Sequence, residues 1–221
     1  MTEKLVIVGA GETAAMAYEY FTHDSDFEVV AFTVDKEFLT RKEYFGLPLV
    51  AFEDVESYYH PENFRMFVAL AAGNLNIERA KLYARAKRKG YILASYVSSR
   101  CFRWHDVEVG ENCFVLEDNT LQPFSRIGNN VTMWSGNHLG HRSVIQDNCF
   151  ITSHVVISGF CEIGMNSYIG VNSAIADYVR IGKNNFIGMG SIINKSTKDN
   201  SIYSGEHSKR VKVDALEYFC R

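Results

Sequence analysis

The stretch that decides the fold reads Leu139-Gly140-His141-Arg142-Ser143-Val144-Ile145-Gln146-Asp147-Asn148-Cys149-Phe150-Ile151. Leu139, Ile145 and Ile151 stand six residues apart, and the spacing continues in both directions. Counting outward gives Val109, Val115, Leu121, Ile127 and Met133 on one side. On the other come Ile157, Ile163, Ile169, Ile175, Ile181, Ile187 and Ile193, fifteen consecutive positions in all without a polar residue. With roughly a quarter of an average protein being Ile, Leu, Val or Met, chance produces such a run with a probability on the order of 10⁻⁹. A strict period of six fits neither an amphipathic helix nor the alternating strands of a β-sandwich. It fits a coil of three short strands and three corners that stacks on copies of itself. Three hexapeptides per coil turn the fifteen positions into a left-handed parallel β-helix of about five coils.

The position four residues after each aliphatic one is small or β-branched, as in Cys113, Ser143, Cys149, Val155, Cys161 and Ser167. A large aliphatic side chain beside a small one is what a narrow triangular interior can hold. The residue directly after the aliphatic one is often glycine (Gly110, Gly128, Gly140, Gly164, Gly170, Gly182, Gly188), expected to let the backbone turn. Cys101, Cys113, Cys149, Cys161 and Cys220 form no CxxC pair and no zinc-ligand spacing. Three of them occupy the small inward slot, so packing is their expected role, with no disulfide and no metal.

Upstream of Arg100 the pattern changes to alternating strand and helix. Leu5-Val6-Ile7-Val8 reads as a strand, followed by the turn Gly9-Ala10-Gly11-Glu12-Thr13-Ala14 and a helix ending near His23. A second strand runs from Phe27 to Val34 and ends on Asp35; further strands are expected at 47–51, 66–71 and 91–96, a short acidic helix at 53–59 and a basic helix at 76–89. This alternation predicts an α/β Rossmann-like βαβ domain over residues 1–100, its small parallel sheet covered on both faces. Residues 101–221 then form the β-helix and a C-terminal cap. The tail from Asp199 is expected to leave the repeat through Ser201-Ile202-Tyr203-Ser204-Gly205, and its Lys209, Arg210 and Lys212 are available to a phosphate.

The chain has 221 residues, 47% hydrophobic and 22% charged, with a net charge of -3, which makes nucleic acid an unexpected partner. No apolar run reaches the length of a spanning helix, and Met1 to Leu5 leads straight into a strand, so a cytoplasmic protein without membrane insertion is expected.

Three histidines, His138, His141 and His154, fall within the repeat but outside its inward positions, which leaves them at the prism surface. Histidine suits general-base work because its ordinary pKa of about 6.5 lies near working pH. The Gly9-Ala10-Gly11 turn can bring backbone N–H groups and a helix N-terminus to an anionic phosphate; a purely structural tight turn is the alternative. Fewer than a hundred residues precede the repeat and no second nucleotide-binding half is visible, which argues against a dinucleotide.

A short βαβ domain followed by an uninterrupted hexapeptide helix resembles one family over nearly the whole chain. It is that of the bacterial sugar acyltransferases, which includes sialic-acid O-acetyltransferases and bacillosamine- and perosamine-type N-acetyltransferases. The hexapeptide pattern is shared with serine acetyltransferases and some carbonic anhydrases, and the N-terminal domain narrows the choice. The resemblance implies an N-terminal domain that binds a nucleotide-linked amino sugar, acetyl-CoA in a groove between neighbouring prisms, and a homotrimer. Gly9, Gly11 and Glu12 would then meet the phosphates and Asp35 the ribose or base, with Gly73 and Asn74 on the same sheet edge. The family's catalytic histidine opens a segment of the type His-Asp-Cys-x-Ile-Gly-Asp, matched here by His141-Arg142-Ser143-Val144-Ile145-Gln146-Asp147. His141 is the implied general base, with His138 and His154 as auxiliaries and the Gly159 and Phe160 amides as acyl-CoA contacts. The chain departs from the pattern twice: Arg142 stands where an acid follows the histidine, and Phe150 where the family carries a second histidine.

The expected reaction is N-acetylation of a nucleotide-linked amino-deoxy sugar, with sugar O-acetylation as its close alternative. A metal-dependent hydrase would need three histidines converging at a subunit boundary, and a non-catalytic scaffold is the remaining reading.

Overall fold

The computed structural model describes residues 2–213 and 215–219, so Cys220 lies outside the described residues. Leu5 and Ile7 point to one side of the first strand, β1 (Glu3–Val8), and Val6 and Val8 to the other. All four are fully buried, so β1 is central and must be covered on both faces. On the Leu5 side lies α1 (Glu12–His23), which buries Ala14, Ala17 and Phe21. Next in the chain are β2 (Phe27–Val34), β3 (Glu43–Tyr44), β4 (Leu47–Ala51), α2 (Val55–Tyr58), β5 (Arg65–Val68) and α3 (Ile77–Arg88). On the Val6 side, α2 and α3 contribute Val55 and Ala86. The sheet order is β3-β4-β2-β1-β5, parallel except for the short antiparallel edge β3. The strand expected over 91–96 does not form. Leu93 makes a single bridge to Met66, and Tyr96–Val97 leave the sheet to pair with Phe114–Val115 as the first rung of the prism.

From Tyr96 to Tyr203 the chain winds a triangular prism whose faces carry seven, six and five two-residue parallel strands. Three strands make a coil, so these eighteen strands give six coils where the aliphatic count gave five. The added rungs are those the pattern hides. At Phe102–Arg103 the aliphatic slot holds Arg103, whose guanidinium donates to the Val107 carbonyl (2.7 Å from Nη2). At the other end, Ser201 to Gly205 do not leave the repeat as expected: Ile202–Tyr203 pair with Phe186–Ile187, and Tyr203 packs on the core. Inside, every aliphatic position from Val115 to Ile187 is buried, as are Cys113, Cys149 and Cys161 in the small slot.

The repeating glycines serve proximity instead of turning. A Cβ on Gly140 would lie 2.4 Å from the Ser158 carbonyl carbon, and one on Gly164 2.6 Å from that of Gly182, both in the next coil. The left-handed turn falls two residues later, at Asn112, Asn130, Asn148, Asn166 and Asn184, all with φ between 54° and 62°. Asparagine tolerates that region and links the coils as well. Asn112 Nδ2 donates to Asn130 Oδ1 and Asn130 Nδ2 to Asn148 Oδ1, each at 2.8 Å.

The N-terminal domain packs on the seven-strand face, where Phe114 and Leu116 join the core of α1 and β1. Arg79, only 1% exposed, pins α3 to the prism. Its Nη1 donates to the Asn130 carbonyl (2.5 Å) and Thr132 Oγ1 (3.2 Å), and its Nη2 to the Cys149 carbonyl (3.1 Å) and Asn76 Oδ1 (3.2 Å). None of these partners is a carboxylate, and burial brings the guanidinium pKa down to about 10, still charged at neutral pH. Among the described residues no helix is long and apolar enough to cross a membrane.

Arg79→Met would take from the buried Asn130 carbonyl its guanidinium donor. We expect it to lower stability to urea by about 3 kcal/mol, against about 0.5 kcal/mol for the exposed Lys81→Met. Equal midpoints for the two variants would show that Arg79 does not hold the modules together.

Candidate functional site

Two places concentrate the expected residues. The first is a cleft of about 730 Å³ at the carboxyl ends of β1, β2 and β5. Gly9 has φ +127°, and a Cβ there would meet the Ala69 carbonyl oxygen at 2.8 Å, so this glycine is needed by the packing of β1 against the segment after β5. Gly11 caps α1, and a Cβ on it would meet nothing within 4 Å. The amides of the first helical turn face the cleft there, as helix geometry leaves them, with Glu12 exposed beside them. Asp35 lines the cleft, but its carboxylate is already engaged: Arg85 Nη1 and Nη2 donate to its two oxygens at 2.8 and 2.7 Å. Arg85 lies in turn 4.7 Å from the Phe52 ring centroid. Across the mouth, Arg41 donates to the Ala10 carbonyl at 2.9 Å and covers the Tyr44 ring.

Gly73 and Asn74 do not line this cleft. The strand β5 ends at Val68, and the chain turns away through Asn74, Leu75 and Asn76, all at positive φ (50°, 51° and 66°). Asn76 Nδ2 then donates to the Asn166 carbonyl at 3.2 Å, tying this loop to the prism. Beyond the loop, Ala72, Leu75 and Ile77 face Tyr168, Phe186 and Ile202 across an apolar groove of about 960 Å³.

The second place is the corner between the six-strand and five-strand faces, where His141 follows His138–Leu139 and precedes Val144–Ile145. The His141 amide donates to Gln122 Oε1 at 2.9 Å, and the same oxygen is 3.4 Å from His141 Nδ1. Above the ring is Gly159, where a Cβ would lie 2.6 Å from His141 Cε1, so glycine makes room for the imidazole. Phe160 meets the ring edge-on at 5.0 Å, Tyr178 stacks on Phe160 at 4.7 Å, and Arg142 covers Phe124 at 4.5 Å. Phe124, Arg142, Phe160 and Tyr178 all occupy the left-handed slot that asparagine fills at the neighbouring corner (φ 63°, 59°, 57° and 63°). Such backbone costs roughly 1 kcal/mol or more for a bulky residue, and such strain concentrates at functional sites. The stripe is exposed, Tyr178 at 72%.

The other two histidines do not join His141. His138 lies on the flat six-strand face, not at the corner, and His154 sits on a different corner with its ring over Gly136. Among the described residues no three His, Cys, Asp or Glu side chains converge as a metal site. The Gly159 and Phe160 amides are not open to an oxyanion either: they donate to Asp177 Oδ1 (2.8 Å) and to the His141 carbonyl (3.0 Å). Sequence reasoning missed Gln122, Arg41 and Arg85. Gln122 could have been found from the coil register of eighteen positions, seen for Thr120 and His138, which stacks Gln122 on Gly140, next to His141.

Three solved structures share this fold from end to end. The acetyltransferase domain of PglB from Neisseria gonorrhoeae, in complex with acetyl coenzyme A, matches with a TM-score of 0.83 and 21% identity over 96% of this chain and 100% of that one. Perosamine N-acetyltransferase from Caulobacter crescentus, as a histidine-to-asparagine variant with CoA and GDP-perosamine, gives 0.80 and 20% over 91% and 93%. WeeI from Acinetobacter baumannii gives 0.71 and 20% over 92% and 97%. No protein-family model matches the chain, and no curated protein matches it in sequence.

The two cleft glycines should separate under mutation. Gly9→Ala should cost about 1–3 kcal/mol, whereas Gly11→Ala should cost under about 1 kcal/mol. A similar loss of thermal midpoint in both would place Gly11 among the packing residues.

Proposed function

We propose that this protein transfers an acetyl group from acetyl-CoA to the amine of a nucleotide-linked amino-deoxy sugar, with His141 as general base and three chains in the active assembly. The observation that carries this reading is the placement of His141: a half-open imidazole on a prism corner, seated between Gln122 and Gly159 beside an exposed aromatic stripe. The fold it shares with PglB and perosamine N-acetyltransferase, which were solved with acetyl-CoA or with CoA and GDP-perosamine, supports the choice of substrates.

In the reaction, the acceptor nitrogen bonds to the thioester carbonyl carbon and the carbon–sulfur bond breaks. His141 takes the proton from that nitrogen and passes it to the departing sulfur, so charge and atoms balance. The bound acetyl-CoA supplies only the activated carbonyl. Its apolar arm fits the stripe of Phe160 and Tyr178, which runs from His141 toward the C-terminal coils, where Lys195 and Lys198 stand exposed. The cleft suits the acceptor, with a bare helix N-terminus for the diphosphate and Arg41, Lys81 and Arg85 around it.

The placement of these parts supports an assembly of several chains. The N-terminal domain is docked on the seven-strand face, and His141 is on the corner opposite that face. This placement favours an arrangement in which a neighbouring copy presents one of the two. The aromatic stripe and the apolar groove beside Tyr168 and Phe186 are surfaces suited to such contact, and a closed ring of three gives every histidine a cleft. Light scattering should return three times the chain mass; a fully active monomer would overturn the arrangement.

The reaction is tested by thiol release from acetyl-CoA with UDP-, dTDP- and GDP-linked amino sugars. One or more should give turnover, and His141→Asn should lower kcat by roughly 10²- to 10⁴-fold. Gly11→Val should raise the acceptor KM while leaving that of acetyl-CoA almost unchanged. Failure of every nucleotide amino sugar to release thiol would reject the proposed substrate class.

A further inference from the structure

We infer that Gln122 is the positioning residue that fixes the tautomer of His141 and so makes Nε2 the proton-accepting atom. The inference rests on the reading of His141 as the base and adds what holds it in that role, since no acid follows it in the sequence. The argument starts from the amide group of Gln122. Oxygen and nitrogen of a glutamine are told apart only by what they meet, and here the His141 backbone N–H, which can only donate, lies 2.9 Å from Oε1. That contact fixes the orientation of the amide. The same Oε1, an acceptor, stands 3.4 Å from His141 Nδ1. A proton on Nδ1 makes this a hydrogen bond, whereas a bare Nδ1 would set two lone pairs against each other. The ring therefore carries its proton on Nδ1 and its lone pair on Nε2.

The acceptor is neutral, and among the described residues no carboxylate is hydrogen-bonded to His141 in its place. Asp177, two coils on, gives Oδ1 to the Gly159 amide, and Asp106, on the coil before Gln122, gives Oδ1 to the Phe124 amide. Arg142, the adjoining cation, rests on the Phe124 ring. Gly159 and the Phe160 ring lie against the imidazole. Gln122 thus orients the imidazole without adding a charge that would hold the proton once it is taken, which suits a base that must return the proton to sulfur within the same turnover.

Two variants test this in the full-length protein. Gln122→Met keeps length and bulk but has no acceptor oxygen, and Gln122→Glu replaces the neutral acceptor with a charged one. The tautomer is read from long-range proton–nitrogen correlations of ¹⁵N-histidine-labelled protein, with His141→Asn assigning the signal. Wild type should show a protonated Nδ1 and a bare Nε2; Gln122→Met should show a mixture and lose kcat by roughly 3- to 10-fold at little change in either KM. In Gln122→Glu the carboxylate favours the imidazolium, so the base stays protonated to higher pH and the acid limb of the kcat/KM profile should move up by about one pH unit. A proton on Nε2 in wild type, or an unchanged tautomer in Gln122→Met, overturns the inference. A tautomer that responds to Gln122 while the kinetics of both variants stay flat would uphold the positioning and instead reject His141 as the base.

Discussion

Everything in the C-terminal module depends on one constraint: each rung of the prism pairs with the rung eighteen residues further on, its amides bonding to carbonyls seventeen residues ahead. Gly140 donates to Ile157 and Trp134 to Ile151, and the same ladder runs from Tyr96 to Tyr203. Coils stacked this closely leave no room for a side chain where glycine recurs, and they turn any column of like residues into a ladder. Asparagine makes such a ladder at one corner, and at another the same slot is filled by Phe124, Arg142, Phe160 and Tyr178. Chemistry across coils is therefore organised by register, and Gln122 meets His141 for that reason alone.

An exposed ion pair, Lys87 Nζ to Glu111 Oε2 at 2.6 Å, joins the modules, but the buried link between them is not an ion pair. Arg79 uses carbonyls and a hydroxyl of the prism, and its Nε has no partner. A cation accepted by peptide oxygens depends on many of them being correctly placed, which ties α3 to the coil geometry rather than to any one side chain. Since α3 also supplies Lys81 and Arg85 to the cleft, the prism indirectly sets the cationic wall of the N-terminal site.

The prism was legible in the sequence because an interior this narrow accepts few residue types, and the requirement returns every six residues. Its first coils were hidden by Arg103, which occupies an aliphatic slot yet turns its guanidinium to a carbonyl. His141, which opens the motif, lies on an exposed corner, outside the inward positions, as its place in the repeat implied. Gly73 and Asn74 were misplaced because the apolar run Ala69 to Ala72 extends past the real end of β5, into a loop whose left-handed course comes from Asn76 reaching the prism, a tertiary contact. Asp35 lines the cleft, but its partner Arg85 is fifty residues away, and no local pattern announces the pair.

From Tyr96, where the chain enters the prism, to His141 is forty-five residues, or two and a half coils. That half coil is why the histidine ends up across the prism from the domain that precedes it. On a solenoid of this kind, separation along the chain works as a compass: whole coils change only height, and the remainder sets the bearing. Adding or removing one hexapeptide between Tyr96 and His141 would swing the histidine by a third of a circle while leaving every inward aliphatic in place. Lineages descended from such a chain can thus gain or lose eighteen residues there and keep the histidine's direction, whereas six would re-aim it toward a different side of the prism.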